Sequence, residues 1–253
     1  MTVPEDLLPI LYQDQWLVAV NKPAGLLVHK SDLDRKEKRN AMNLLRDQLG
    51  AKVFPLHRLD KPTSGLLLFA LDRETAIKMN ATFREGQVSK RYLAILRGYT
   101  EDSGRIDHPL EKLWDRMTDS KADRTIDAQN ATTDYRRLGT AELPFAIGRY
   151  PTARYSLVEA MPITGRNRQI RRHFKHIFHP IIGDTSHGDG KHNKFFREHL
   201  DCHRMLLHAS RISFLHPYSK EEILVEFPLD GSFLEVLNKL GISIKAEGLS
   251  DGS

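Results

Sequence analysis

The order of apolar and polar residues along the chain predicts many short strands and four helices. Residues 64–71 form an apolar run with the length of a buried central strand. Apolar side chains three and four residues apart predict helices over 41–49, 73–85, 167–178 and 232–240. Further strands are predicted at 16–20, 26–29, 91–96, 132–138, 155–163, 211–215 and 223–227. Because strands and helices do not alternate regularly, we expect an α+β fold with a mixed, mostly antiparallel central sheet and flanking helices.

Two local patterns add detail to this outline. Asn21-Lys22-Pro23-Ala24-Gly25 lies between two apolar runs and predicts a hairpin turn joining strands 16–20 and 26–29. In the helix over 167–178, Arg171 falls beside the edge of an apolar stripe, where its guanidinium can point inward and meet a carboxylate. The stripe consists of Ile170, Phe174, Ile177 and Phe178, and the opposite side carries Arg168, Arg172 and Lys175.

The sequence contains no internal repeat, and no linker separates it into independent domains. We therefore expect a single domain over residues 1–244, followed by a disordered polar tail at 245–253. The charged segment 31–39 is expected to be a loop, and residues 105–148 match no motif.

Composition narrows the class of protein. Hydrophobic residues make up 40% and charged residues 28%, as in ordinary globular chains, and the formal charge is +5. This mild excess is compatible with a polyanionic partner without establishing one. Cys202 is the only cysteine, which excludes an internal disulfide and a cysteine-based metal cluster. The N-terminus lacks the pattern of a signal peptide, and no apolar run approaches the ~20 residues that cross a bilayer. We expect a cytoplasmic protein with no membrane association.

The segment His57-Arg58-Leu59-Asp60-Lys61-Pro62-Thr63-Ser64-Gly65 carries the most chemical information. Pro62 favours an extended Lys61, and Thr63-Ser64-Gly65 supplies turn residues, so Asp60 lies on a stiff loop directly before the buried strand. A carboxylate at the rim of an apolar core is costly unless it is paired. Taken alone, Asp60 could simply cap this turn.

The longer string HRLDKPTSGLLLFA resembles the catalytic motif of the RluA-type pseudouridine synthases, in which the aspartate is catalytic. Further segments match the family in the same order, so that the resemblance covers roughly residues 16–230. They are VNKPAGLLVH at 20–29, KRYLAILRG at 90–98, TGRNRQIR at 164–171, HPIIGD at 179–184 and MLLHA at 205–209. The resemblance implies the pseudouridine synthase fold and an enzyme that needs neither cofactor nor metal.

The resemblance also implies roles for individual residues. Asp60 is then the catalytic carboxylate, Tyr92 stacks against the flipped uracil, and Arg171 pairs with Asp60 and keeps it ionised. Arg58 is expected to enter the gap that the flipped base leaves, or to contact phosphate. Without the motif, Tyr92 would be an ordinary strand residue, Arg58 a structural partner of Asp60, and Arg171 a solvated side chain.

Four further residues are candidate RNA contacts: Arg166, Arg168, Lys191 and His192. Arg168 stands where relatives commonly have histidine. Lys191 and His192 belong to HGDGKHN, at 187–193, which resembles a segment of one tRNA-modifying branch whose target is uridine 65 in the acceptor-arm region. A plain loop and a merely solvated basic face remain alternatives for these residues.

The first expected hairpin begins by residue 16, which leaves no room for the N-terminal S4-type RNA-binding domain of some family members. This favours tRNA as the partner, with ribosomal RNA, alone or together with tRNA, as the alternative, and no obligate protein partner. The many histidines also permit a metal-dependent phosphoesterase, although the carboxylates needed for a metal site are not convincingly placed. A non-catalytic RNA-binding module is the third possibility, but binding alone needs no carboxylate facing a polyanion.

Overall fold

The structure is a computed structural model that describes residues 7–29, 39–112, 128–227 and 229–243. The elements, in chain order, are β1 (Ile10–Gln13), β2 (Leu17–Lys22), α1 (Ala41–Leu49), β3 (Phe54–Pro55), β4 (Ser64–Ala70), α2 (Arg73–Arg84), β5 (Ser89–Arg97), β6 (Ser103–Asp107), β7 (Thr132–Leu143), β8 (Ala153–Pro162), α3 (Gln169–His176), α4 (Gly190–Leu200), β9 (Leu207–Leu215), β10 (Glu222–Glu226) and α5 (Gly231–Leu240).

The chain divides into two compact units that are interleaved in sequence. Among the described residues, the first unit comprises 7–29, 39–91 and 208–227, and the second comprises 92–112, 128–207 and 229–243. The single domain expected over 1–244 stays a prediction, and the tail at 245–253 lies outside the described residues.

In the first unit the strand order is β1-β2-β4-β9, with β3 beside β4 and β10 beside β9. All these pairs are antiparallel except β4 and β9, which run parallel with Ser64 opposite His208 and Gly65 opposite Ala209. Every residue of β4 is buried, as its continuous apolar sequence predicts for a central strand.

In the second unit the order is β5-β8-β7-β6, and all three pairs are antiparallel. Helices α4 and α5 contribute to one core together with β5 and β8, in which Tyr155, Phe196, Leu206 and Phe233 are almost fully buried. Aromatic side chains supply much of the apolar area that holds such a core together. The α+β fold with mostly antiparallel strands is thus confirmed.

Side-chain caps explain where four of the helices begin. Asn40, Asp72, Asp189 and Asp230 each accept a hydrogen bond from a backbone N–H in the first turn of the helix that follows. Helix α3 is different, because its N-cap residue Arg168 has a φ of +54° and makes no side-chain cap.

The predicted hairpin between 16–20 and 26–29 is wrong. Residues 26–29 make only an isolated parallel bridge, between Leu27 and Asn40, and the partners of β2 are β1 and β4. The carbonyls of Leu27 and Val28 instead accept hydrogen bonds from the N–H groups of Ala41 and Met42 at the start of α1. The backbone after the turn is therefore used to begin a helix rather than to extend a sheet.

The placement of Phe178 on the buried stripe of its helix is also wrong. Helix α3 ends at His176, and Phe178 has a φ of +64°, which turns its side chain away and leaves it 79% exposed. Ile170 and Phe174 are buried as predicted, and Ile177 is half-buried. Within the described ranges, no helix is both long and apolar enough to span a bilayer.

Candidate active site

Asp60 lies on the loop between β3 and β4, which is anchored by two buried leucines, Leu56 and Leu59. Between these anchors Arg58 is exposed, and the Asp60 side chain that follows is half-buried. The carbonyl of Asp60 accepts a hydrogen bond of 3.0 Å from the N–H of Thr63, which closes a turn over residues 60–63, whereas Ser64 and Gly65, expected as turn residues, begin β4. The loop therefore holds a carboxylate at the boundary between core and surface.

The side chain of Lys22 holds this loop in place. Its side chain is fully buried, and its ammonium group donates to the carbonyls of Pro23, Leu26 and Lys61 at 2.9, 2.8 and 3.2 Å. The N–H of Gly25 donates to the same Lys61 carbonyl at 2.8 Å. A buried charge is tolerated only when its donors are satisfied, so Lys22 joins residues 22–26 to the residue that follows Asp60.

His57 is a neutral structural residue of the same loop. Its Nε2 accepts a hydrogen bond of 3.1 Å from the N–H of Leu68, and its ring stacks on Phe83. Burial, and then the nearby charge of Lys90, lower the pKa of His57 to about 3. A ring nitrogen that must accept from an amide cannot carry a proton, which agrees with this direction.

The start of β4 is locked to β9. Ser64 Oγ and His208 Nδ1 lie 2.8 Å apart and both residues are buried. Gly65 has a φ of +107°, and a Cβ at this position would lie 2.2 Å from the carbonyl oxygen of Ala209. Only glycine permits this approach of two backbones, so the residues directly after the Asp60 loop are held against β9.

Tyr92 and Arg171 belong to the second unit, and both are buried. Tyr92 is 9% exposed on β5, opposite Ala160 of β8. Arg171, on α3, is 4% exposed and donates through Nε and Nη2 to the two carboxylate oxygens of Asp184, at 2.7 and 2.8 Å. This bidentate pair is the strong form of an arginine–carboxylate contact and fixes the plane of the guanidinium.

Sequence reasoning did not single out Asp184 as the partner of Arg171, although it lies in the HPIIGD segment. It is 1% exposed, and its Oδ1 also accepts from the N–H groups of Ser186 and His187, at 2.9 and 3.0 Å. Burial by itself would raise the pKa of Asp184, but the hydrogen bonds from Arg171 and these amides hold it below its ordinary value. A single inward arginine on an amphipathic helix signals a buried carboxylate without saying which one.

The segment before α3 turns its arginines outward. The side chain of Gln169 is buried and binds Thr164, Arg166 N, Thr132 O and Thr133 at distances from 2.7 to 3.0 Å. Arg166 is exposed and donates through Nε to the Asn130 carbonyl at 3.0 Å, and Arg168 is exposed in the left-handed conformation. Gln169 thus holds a loop on which two cations face solvent.

Residues 187–193 form the N-terminal end of α4 and the turn before it rather than a plain loop. Asp189 caps the helix and also accepts from Arg97 Nη1 at 2.6 Å. Asn193 closes a ring with the preceding turn, because its Nδ2 donates to the Asp184 carbonyl and its Oδ1 accepts from Gly183 N. This ring holds the first turn of α4 against the backbone of Asp184, the residue whose carboxylate binds Arg171.

The two candidate RNA contacts in this segment differ. Lys191 is exposed, whereas His192 is half-buried and its Nδ1 lies 3.0 Å from the hydroxyl of Tyr155. In the part of the chain that the structure describes, no group of three or more His, Cys, Asp or Glu side chains is arranged to hold a metal ion. His173, from the histidine-rich stretch, lies 2.9 Å from Thr133 Oγ1 and 3.1 Å from the His108 carbonyl.

The predicted residues therefore fall into two groups. Arg58 and Asp60 share one loop of the first unit, and Tyr92, Arg166, Arg168, Arg171, Lys191 and His192 belong to the second. Within the second unit, one short segment carries Arg166, Arg168 and Arg171. Pairing of Asp60 with Arg171 stays a prediction, since the two residues are described in separate units.

Comparison with known proteins shows the family of this chain. Residues 16–176 match the family model described as RNA pseudouridylate synthase. The chain belongs to this family, and the predicted activity, isomerisation of uridine in RNA to pseudouridine, is confirmed.

Its relatives carry a more specific name. The tRNA pseudouridine synthase C of Vibrio parahaemolyticus serotype O3:K6 is 49% identical over 92% of this chain and 94% of its own length. The protein of the same name from Haemophilus influenzae is 49% identical over 93% of this chain and 98% of its own. Among solved structures, human RNA Pseudouridylate Synthase Domain Containing 4 has a TM-score of 0.70 and 28% identity, covering 93% of this chain and 94% of that chain.

Proposed function

We propose that this protein converts uridine 65 of tRNA to pseudouridine in the cytoplasm, with Asp60 as the catalytic residue. The tRNA substrate is supported by relatives about half identical along nearly their whole length, which are named for tRNA. The position is supported by the HGDGKHN segment at 187–193 and its resemblance to the branch that modifies this nucleotide. The reaction is redox-neutral and uses no activated donor, so we expect it to need no cofactor, metal or obligate protein partner.

The proposed role of Asp60 rests on the fixed position of its loop. The carboxylate is half-buried, and the backbone on both sides of it is fixed by Leu59, Lys22 and the turn to Thr63. A nucleophile held in one place on a rigid scaffold reacts faster than a mobile one, because its orientation is established before the substrate binds.

The reaction breaks the bond between uracil N1 and ribose C1′, turns the base, and joins C5 to C1′. In our proposal the Asp60 carboxylate attacks C1′ as the bond to N1 breaks, and C5 then displaces Asp60 from C1′. N1 gains a proton and C5 loses one, so that the product is an isomer of the substrate. The base can react only outside the helical stack, and its displacement costs a few kcal/mol that protein contacts must offset. Tyr92 provides a ring for the flipped uracil, and Arg58 enters the gap.

Arg171 is proposed to hold the Asp60 carboxylate ionised from the second unit. Its bidentate contact with Asp184 leaves the guanidinium in a fixed plane, which suits an arginine that must present further N–H groups to another carboxylate. Exposed Arg166, Arg168 and Lys191 are proposed to contact the RNA backbone. A contact by His192 would use Nε2, since Nδ1 faces Tyr155.

The proposal is tested with Asp60→Asn, an uncharged side chain of the same size. Purified wild type and variant are incubated with unmodified tRNA and with ribosomal RNA, and pseudouridine is located by nucleotide-resolution mapping. We expect wild type to modify position 65 of tRNA, and the variant to form no pseudouridine while its dissociation constant for tRNA stays within a few fold.

Asp201→Asn is the matched control, because Asp201 is 84% exposed and its φ of +52° suits asparagine. This variant should modify tRNA at the wild-type rate. Normal turnover by Asp60→Asn would remove Asp60 from the mechanism. Modification of ribosomal RNA but not of tRNA would agree with the proposed activity and contradict the proposed substrate.

A further inference from the structure

Phe178 is an exposed aromatic residue held in an unfavourable backbone conformation. It follows α3, and its ring is 79% exposed, the largest exposed fraction of any large apolar side chain among the described residues. Its φ of +64° is the left-handed region, in which glycine or asparagine ordinarily ends a helix. Phenylalanine is therefore an unusual residue at this position, both for the end of a helix and for a side chain outside the core.

The backbone around Phe178 is nevertheless rigid. Its N–H donates to the Lys175 carbonyl at 3.0 Å, and its carbonyl accepts from Arg97 Nη2 at 3.1 Å. The next two residues are also fixed to the end of β5, because His179 Nδ1 lies 2.9 Å from the Arg97 carbonyl and Arg97 N donates to the Pro180 carbonyl at 3.0 Å. An exposed ring on a fixed backbone is a preorganised contact surface.

The surroundings of this ring are basic. Lys175 and His176, in the last turn of α3, are exposed directly before it. Arg97 connects Phe178 to Asp189, which caps α4, and exposed Lys191 lies in the first turn of that helix. Because the carboxylate of Asp189 is already paired with Arg97, the cations Lys175 and Lys191 decide the charge that a ligand meets.

We propose that Phe178 is a base-stacking residue for the RNA substrate, which receives an unpaired nucleobase while Lys175 and Lys191 contact the flanking phosphates. Aromatic rings between cations are the usual surface for single-stranded nucleic acid, since every base has a π-face and every linkage a negative charge. This inference rests on the proposed RNA substrate and adds a contact outside the uracil pocket.

The test measures the affinity of the full-length protein for unmodified tRNA at several salt concentrations. Phe178→Ala should weaken binding by about 5- to 150-fold, which corresponds to one base–aromatic stack. It should leave the salt slope unchanged, whereas Lys191→Ala should reduce that slope by about one unit. Phe178→Trp should keep the affinity, and its added tryptophan fluorescence should be quenched by tRNA.

Phe178→Gly separates binding from folding. Glycine relieves the left-handed backbone, so this variant should be more stable than wild type and yet bind tRNA as weakly as Phe178→Ala. Leu234→Ala is the control for loss of an exposed apolar side chain, since Leu234 is 42% exposed on α5, and it should bind normally.

Each other outcome overturns the inference. Wild-type affinity of Phe178→Ala, with normal pseudouridine formation by the wild type, would remove the stacking contact and leave the proposed function intact. Failure of wild type to bind or modify any tRNA would overturn both proposals. If sedimentation showed that Phe178→Ala abolishes self-association while RNA affinity is unchanged, the ring would belong to a protein interface instead.

Discussion

Replacing Asp184 with asparagine removes the charge that faces Arg171 and keeps the size of the side chain. Loss of one partner of a buried ion pair costs about 3–5 kcal/mol. Both side chains are at most 4% exposed, so water cannot replace the missing carboxylate. The asparagine oxygen still accepts from an amide of Ser186 or His187, and we therefore expect the lower end, about 3 kcal/mol. At ordinary denaturant sensitivities this lowers the urea midpoint by about 1 M or more.

The pH dependence gives the same pair a second readout. In the folded protein the pKa of Asp184 lies below its ordinary value, so folding favours the ionised form. Its contribution to stability is then complete above the unfolded pKa, near 3.9, and is lost as the pH falls through the lower folded value. Wild type should lose stability below about pH 4, and Asp184→Asn should lose less over the same window.

Glu198→Gln on α4 is the matched control, because it removes a carboxylate from an ion pair that is more than half exposed on both sides. Exposed pairs of this kind contribute at most about 0.5 kcal/mol. We also expect Asp184→Asn to lower the rate of pseudouridine formation in native buffer, since Arg171 loses its fixed orientation. A urea midpoint equal to that of Glu198→Gln would refute the view that the buried pair holds Arg171.

Three other changes probe the Asp60 loop by urea unfolding. Gly65→Ala should destabilise the fold by several kcal/mol, because the added Cβ would lie 2.2 Å from the Ala209 carbonyl oxygen. A decrease in the free energy of unfolding below about 1 kcal/mol would mean that β4 and β9 can separate at little cost. Lys22→Met should cost roughly 2 kcal/mol or more, since each buried carbonyl left without a donor costs about 1–3 kcal/mol, and an unchanged midpoint would contradict the anchoring role. The folded protein keeps His57 neutral down to about pH 3, whereas the unfolded chain takes up a proton near pH 6.5. The free energy of unfolding of wild type should therefore decrease as the pH is lowered from 6.5 to 3, and it should decrease less in His57→Gln. Parallel pH profiles of the two proteins would contradict this prediction.

The elements with strong periodicity could be predicted from sequence. The helices at 41–49 and 73–85 and the central strand at 64–71 agree with α1, α2 and β4 to within one residue at each end. Helix α4 could not be predicted, because its GKHN start contains glycine and polar residues that favour a loop. It forms because Asp189 caps it and because Phe195 and Phe196 are buried in the second unit.

Long-range partners account for the remaining errors. The turn at 21–25 has the composition of a hairpin, but the buried ammonium of Lys22 donates to the carbonyl of Pro23 within it, to that of Leu26 directly after it, and to one in the Asp60 loop. Similarly, the inward position of Arg171 follows from helical spacing, whereas its carboxylate partner Asp184 lies beyond the helix in a turn shaped by Asn193. Local sequence specifies the need for a partner, and the tertiary fold supplies it.

The parallel pairing of β4 with β9 has a consequence for synthesis on the ribosome. Ser64 and its partner His208 are separated by 144 residues, so the first residues of β4 lack their neighbour on that edge until most of the polypeptide has been made, whereas β3 already covers the end of the strand. At about 5–20 residues per second, this interval lasts roughly 7 to 30 s. During that time the start of β4 exposes unpaired backbone groups next to apolar side chains, and a chaperone that shields this part of the strand would raise the yield of native protein.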